Sequence, residues 1–221
     1  MSNRFRQMMK KLHPEGIPWP WRLLYNAVSS TAIFREHYEQ VARDVARRRR
    51  FARILDIGTG PGYLLLALRS VLPEAKIVGV DISSAMVSQA RRNLNRRGRD
   101  SQIEVGVADT TALPFTDASF QCVVSTGSLH HWRDPIPALS EAYRVLTPGG
   151  YAMIYDLVRD MPEGVGRAIR IRFGNFRCSL LWLHHQTRGC RFVDIAALRG
   201  RETWHPRKRA LPRIHPHGHF G

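Results

Sequence analysis

Cysteine is scarce: Cys122, Cys178 and Cys190 are the whole complement of a 221-residue chain. An odd number without C-x-x-C spacing suggests neither a disulfide framework nor a zinc site. Cys122 sits inside an apolar run and reads as core packing. Long apolar runs are missing as well, since no stretch approaches the roughly 20 residues of a membrane span. The basic opening MSNRFRQMMKKLHPEG is not followed by the apolar core and cleavage site of a signal peptide, so the cytoplasm is the expected compartment. Acids are short at the two ends. Residues 1–50 hold 11 Lys+Arg against 4 Asp+Glu, residues 51–160 hold 11 against 11, and residues 161–221 hold 12 against 3. The net charge of +16 therefore belongs to the flanks, and the central segment is neutral.

Around that neutral centre one stretch organises the rest. In ILDIGTGPGYLLLALR, Ile54 to Arg69, a short apolar run breaks at glycines and resumes as a helical apolar pattern. This reads as strand, tight loop and helix, with the new helix pointing its first N–H groups into the loop. The G-x-G-x-x-G spacing of a dinucleotide loop is absent, because its third glycine falls on Tyr63. A phosphate-cradling G-x-x-x-x-G-K-[ST] is absent too. What stands is D-x-G-x-G-x-G: Asp56, Gly58, Gly60 and Gly62. It resembles the first motif of class I methyltransferases that use S-adenosylmethionine.

Two further apolar runs end in acids. KIVGVD, Lys76 to Asp81, predicts a second strand whose carboxylate is placed to accept hydrogen bonds from ribose hydroxyls. IEVGVAD, Ile103 to Asp109, predicts a third. Between them Ser83 or Ser84 caps a helix ending near Gly98, with Arg91, Arg92, Arg96 and Arg97 read as a solvated face. Phe120 to Ser125 is the expected fourth strand. Asp134 caps a helix with Pro135 at its first position and Leu139, Ala142, Tyr143 and Leu146 as its apolar stripe. Thr147-Pro148-Gly149-Gly150 reads as a turn, and Tyr151 to Asp156 as the fifth strand.

The run LPF-x-D-x-S-F (Leu113 to Phe120), then LHHW-x-D-P (Leu129 to Pro135), then RVL-x-PGG (Arg144 to Gly150) is similar to small-molecule class I methyltransferases of the type 11 kind, over about residues 34–157. The resemblance implies an α/β fold: a doubly wound, mostly parallel, Rossmann-like sheet with S-adenosylmethionine at its carboxyl edge. It implies that Asp81 holds the ribose, that Ile82 packs on the adenine, and that Asp109 with the backbone at Ala108 and Thr110 reads the adenine edge. Asp56 would orient the loop and the methionine end, and Ser125 joins Gly58, Gly60 and Gly62 in the cofactor-binding set. His130 and His131 are the candidate bases, with a wall of the pocket as their alternative role.

The implied activity is direct in-line methyl transfer to a small-molecule acceptor. An RNA methyltransferase or RNA-binding protein using the basic flanks is a second reading, and a lipid or quinone methyltransferase at a membrane surface a third. The [DNS]-P-P-[YFW] of amino-methylating nucleic-acid enzymes is absent, and Ser125-Thr126-Gly127-Ser128 stands in its place.

Four segments are expected. Residues 1–50 form a basic, aromatic helical segment that could act as a lid. In it Phe34, Tyr38, Val41 and Val45 make one stripe, and Trp19, Trp21, Tyr25 and Tyr38 are candidates for the substrate pocket. Residues 51–160 form the cofactor-binding domain, and 161–185 a C-terminal helix. Residues 186–221 form an atypical tail in which Pro206, Pro212 and Pro216 interrupt any strand hairpin, so the C-terminal hairpin of the family is expected to be incomplete or absent. The tail fits a basic arm that orders on a partner, or a shifted reading frame. Its histidines His215, His217 and His219 lack a scaffold for a metal, and none is expected.

Overall fold

The computed structural model describes Ser29 and residues 31–98, 101–132 and 134–156, leaving aside the side chains of Ile33 and His130. The expected helix over 161–185, the tail from 186, its hairpin and histidines, and Trp19, Trp21 and Tyr25 all lie outside the described residues.

Strands and helices alternate through these residues. Helix α1 spans Ala32–Arg48, β1 Arg53–Ile57, α2 Tyr63–Val71, β2 Lys76–Asp81, α3 Ser84–Asn95, β3 Ile103–Val107, β4 Phe120–Thr126, α4 Pro135–Val145 and β5 Leu146–Tyr155. A single 3₁₀ turn, Leu129–His131, separates β4 from α4. The five strands pair in the order β3-β2-β1-β4-β5, every pair parallel. This is the Rossmann-like methyltransferase fold. The chain winds outward from β1 to β3 and then restarts at β4 on the other side of β1. The crevice for a ligand in such a sheet opens where the winding reverses, at the carboxyl ends of β1 and β4.

Period-two alternation divides the central strands between two apolar layers. Ile54, Ile77, Cys122, Val124 and Met153 pack with Val41 and Val45 of α1 and Leu64, Leu65 and Leu68 of α2. Leu55, Ile57, Val78, Val80, Val123 and Ala152 pack with Ala142 and Val145 of α4. Leu55, Ile54 and Leu65 are fully enclosed, each such side chain stabilising the fold by ~1.5–3 kcal/mol. The α1 stripe is as expected, with Phe34 half-buried and Tyr38, Val41 and Val45 buried.

Three local expectations are corrected. The buried face of α4 is Ala138, Ala142 and Val145, while Leu139 and Tyr143 are half-buried. Asp134, accepting the Ile136 N–H at 3.0 Å, sets the start of the helix and hence its rotation. Second, β3 ends at Val107 rather than Asp109, because its partner β2 ends at Asp81, the residue opposite Val107. Third, β5 begins at Leu146. Leu146 lies opposite Phe120 and Tyr151 opposite Cys122, so Thr147–Gly150 form a bulge facing Gln121, and the expected turn lies inside the strand. The arginine face of α3 is exposed at Arg91, Arg92, Arg96 and Arg97, as expected, and two of its guanidinium groups also bond to the protein. Arg91 donates to the Val105 carbonyl of the edge strand at 2.8 Å, and Arg92 to Gln89 at 2.8 Å.

Candidate functional site

The glycine loop leaves β1 at the point where the sheet reverses. Gly58, Gly60 and Gly62 all take positive φ, at 76°, 52° and 80°. The Gly58 and Thr59 N–H groups both donate to the Val80 carbonyl, at 2.8 and 2.9 Å. Gly60 N–H donates to Asp81 Oδ2 at 2.9 Å, while Asp81 Oδ1 accepts the Ser83 N–H at 2.9 Å. Asp81 is thus a clamp joining loop and second strand, with a lone pair left on each oxygen. Burial raises its pKa, and the two N–H groups oppose that rise.

Asp56 is brought beneath the same loop. It is 1% exposed, and neither carboxylate oxygen has a hydrogen-bond partner among the described residues. The Thr59 hydroxyl lies close enough to bias the carboxylate without reaching hydrogen-bonding geometry. Burial pushes the Asp56 carboxyl up to about 7, with Asp81 adding to the rise and Thr59 opposing it. A buried, unpaired carboxylate is costly, and its natural complement is a cationic group entering from the loop side.

Along the edge toward β3, Ile82 is 46% exposed and Val107 54%, two large apolar residues left open beside Asp81. Ala108 is buried and its N–H donates to the Asp81 carbonyl at 3.1 Å. Asp109 is exposed and folds a turn by accepting the Thr111 N–H and hydroxyl, each at 2.8 Å. Thr110 is half-buried in that turn. The Ser125 hydroxyl donates to the Ile57 carbonyl at 2.8 Å and meets the Ser128 hydroxyl at 2.7 Å, both buried under the loop.

On the acceptor side the picture is mixed. His131 is exposed and closes the 3₁₀ turn, its N–H donating to the Ser128 carbonyl at 2.9 Å. His130 shares that turn. Tyr38 is buried and stacks on Tyr63, the first residue of α2, with ring centroids 6.2 Å apart. It therefore flanks the glycine loop as part of the core.

Several participants escaped the sequence reading. Gly79, in mid-β2, gives room to the Thr59 hydroxyl and Leu65, each 2.8 Å from where a Cβ would stand. A glycine within the apolar run KIVGVD was the signal. Asn93 donates to the Pro61 carbonyl at 2.9 Å and accepts from Gln89 at 3.0 Å, bracing the loop from α3. His37 of α1 places Nε2 2.7 Å from the Thr126 hydroxyl at the end of β4, and burial lowers its pKa to about 4. Nothing in the sequence distinguishes these two polar side chains from the surface polar residues around them.

With this geometry in view, residues 55–154 match the family described as methyltransferase domain. The match runs from the first strand to the fifth, loop and strand-end acids included. Over residues 55–154 the chain is similar to a methyltransferase domain.

The likeness to curated relatives covers part of each chain. The chain is 36% identical over 132 residues to a demethylmenaquinone methyltransferase of Thermus thermophilus, covering 60% of this chain and 59% of the relative. The chain spans three fifths or less of the length of the curated relatives it matches. Among solved structures, an S-adenosyl-L-methionine-dependent methyltransferase from Methanococcus maripaludis superposes with TM-score 0.61 at 21% identity, over 80% of this chain and 89% of that one. The [4+2]-cyclase SpnF superposes with TM-score 0.51 at 27% identity, over 56% of this chain and 46% of that one. The fold is thus shared by a methyltransferase and a protein named for a different reaction, and the chemistry has to be argued from the site. No helix among the described residues is long and apolar enough to cross a membrane.

Proposed function

We propose that the chain binds S-adenosylmethionine and transfers its methyl group to a small-molecule acceptor. The observation that carries this reading is Asp56: a carboxylate enclosed under a glycine loop, without a hydrogen-bond partner among the described residues, next to a second acid at the end of the neighbouring strand. A methionine arm ends in an ammonium group that would complete it. Asp81 has lone pairs for two ribose hydroxyls, Ile82 and Val107 offer an apolar face for a purine, and Asp109 with the backbone at Ala108 and Thr110 would meet its polar edge.

Bound S-adenosylmethionine supplies a methyl group already activated by its sulfonium. The chain's own residues then have to orient an acceptor and exclude water. His131, and His130 beside it, are the candidates to take a proton from an acceptor that starts protonated. The relative named a demethylmenaquinone methyltransferase makes a reduced quinone the first acceptor to try. The kinship with a cyclase keeps a non-methylating use of the same cofactor site as the second reading.

Isothermal titration with S-adenosylmethionine and S-adenosylhomocysteine tests the binding, and a methyl-release assay over small acceptors tests the transfer. Asp81→Ala should weaken cofactor binding by about 1.5–3 kcal/mol, as for a hydrogen bond to a charged group. Equal affinity in that variant would remove the ribose assignment. Binding without methyl release to any acceptor would favour the second reading.

A further inference from the structure

We infer that Arg144, at the end of α4, is a positioning residue for the turn at Asp109, and through it sets which purine the site accepts. The inference rests on the cofactor reading above. Its basis is a closed network. Arg144 Nε donates to Glu141 Oε1 at 2.7 Å, and Nη2 to Glu141 Oε2 at 2.7 Å and to the Leu113 carbonyl at 3.0 Å. Its Nη1 donates to the Phe115 carbonyl at 2.7 Å and to Asp117 Oδ1 at 2.8 Å. A guanidinium has five N–H groups, and here each has an acceptor.

Glu141 completes the grip. Its Oε2 also accepts the Leu113 N–H at 2.8 Å, so Leu113 is held by both its N–H and its carbonyl. The Ala118 N–H donates back to the Arg144 carbonyl at 3.0 Å. The strap from Leu113 to Ala118 is thereby fastened to α4 at both ends. At the other side of the turn, the Ala108 N–H is held on the Asp81 carbonyl at 3.1 Å. Only residues 109–112 lie between these two anchors, and they carry the Asp109 carboxylate and the backbone beside it. An exposed turn that must meet the polar edge of a purine needs both of its ends fixed, because sub-ångström placement decides hydrogen-bond discrimination.

The network also explains why LPF-x-D-x-S-F and the later RVL-x-PGG belong to one device. Leu113, Phe115 and Asp117 supply acceptors from the first segment, and Arg144 opens the second. Lysine cannot replace the arginine, since an ammonium has three donors and no planar fork to reach acceptors on two sides.

The test compares S-adenosylhomocysteine with S-inosylhomocysteine, which differ at the purine edge, by titration on wild-type protein and on Arg144→Lys. Wild type should favour the adenine form by about tenfold or more, and the variant by about twofold, with S-adenosylhomocysteine itself bound about tenfold more weakly. Asp117→Asn, which removes a charge from an acceptor 79% exposed, should change neither value more than about twofold. General destabilisation would weaken both ligands alike and leave their ratio intact, so a folded Arg144→Lys with the wild-type ratio overturns the inference. Should Arg144→Lys not fold, Glu141→Gln, which keeps one carbonyl oxygen, carries the same test with an intermediate ratio expected. An unchanged ratio there overturns it equally. Wild-type protein that binds neither ligand would remove the cofactor reading and this inference with it, whereas tight wild-type binding with an unaltered variant removes the inference alone.

Discussion

Gly58→Val should abolish cofactor binding and destabilise the fold by about 3–5 kcal/mol, through backbone strain and overpacking together. Gly58 sits at φ 76°, where a β-branched residue is strained whatever its surroundings. Its Cβ would stand 2.5 Å from both Cβ and Oγ of Ser128. Ser128 cannot move aside freely, because its hydroxyl shares the Ser125 hydroxyl at 2.7 Å and approaches the Ile57 carbonyl at 3.2 Å. Relief of the clash must therefore come from the loop, whose next N–H is fixed on the Val80 carbonyl. Urea unfolding measures the stability and titration with S-adenosylhomocysteine the binding. Gly106→Ala is the control: its Cβ would meet nothing within 4 Å, and it should stay within about 0.5 kcal/mol of wild type. A Gly58→Val protein as stable as that control would show that the loop does not hold this conformation in solution.

The fold was legible because each of its signals is local. Apolar runs ending in Asp56 and Asp81, with glycines after the first, mark strand, loop and helix within a dozen residues. What escaped depends on rotation or on partners far away in sequence. The face of α4 is set by the cap at Asp134, so a stripe read by counting apolar residues picked Leu139 and Tyr143 where Ala138 and Val145 are buried. Short alanines carry little weight in a hydrophobic count, yet they let the helix lie close to the sheet. The Arg144 network joins residues some thirty apart, and Asn93 reaches Pro61 across thirty-two. No periodicity reports such pairings. The hydroxyl of Ser125, a member of the cofactor-binding set that the resemblance implies, bonds Ile57 and Ser128 beneath the loop, a pairing that no local pattern announces.

Asp56→Asn should stabilise the ligand-free protein at alkaline pH while weakening its cofactor binding. The folded carboxyl has a pKa of about 7 against an ordinary 3.8, raised by burial first and by Asp81 next. A raised carboxylate contributes stability that is fully present below the unfolded value and is lost as pH climbs through the folded one. Three pKa units correspond to about 4 kcal/mol, lost between pH about 4 and 7. The wild-type profile alone will not reveal this, because His37 acts in the opposite sense. Its pKa is lowered by burial from 6.5 to about 4, so its neutral form stabilises the fold above 6.5, and that contribution is lost as pH falls toward 4. The two slopes oppose each other through the same window.

The difference between variant and wild type isolates the carboxylate. Asparagine keeps the shape without the charge, so the two proteins should match within about 1 kcal/mol at pH 4 and separate to about 2–4 kcal/mol, variant the more stable, at pH 8. Binding moves the other way: a cationic ammonium favours the ionised carboxylate, so wild type should release a proton on taking up S-adenosylhomocysteine near pH 6.5. Titration in buffers of different ionisation enthalpy reads that proton directly, and Asp56→Asn should release none from this site. A stability difference that stays constant from pH 4 to 8 would mean that the carboxylate is already paired in the ligand-free protein, and would strip the cofactor reading of the observation that carries it.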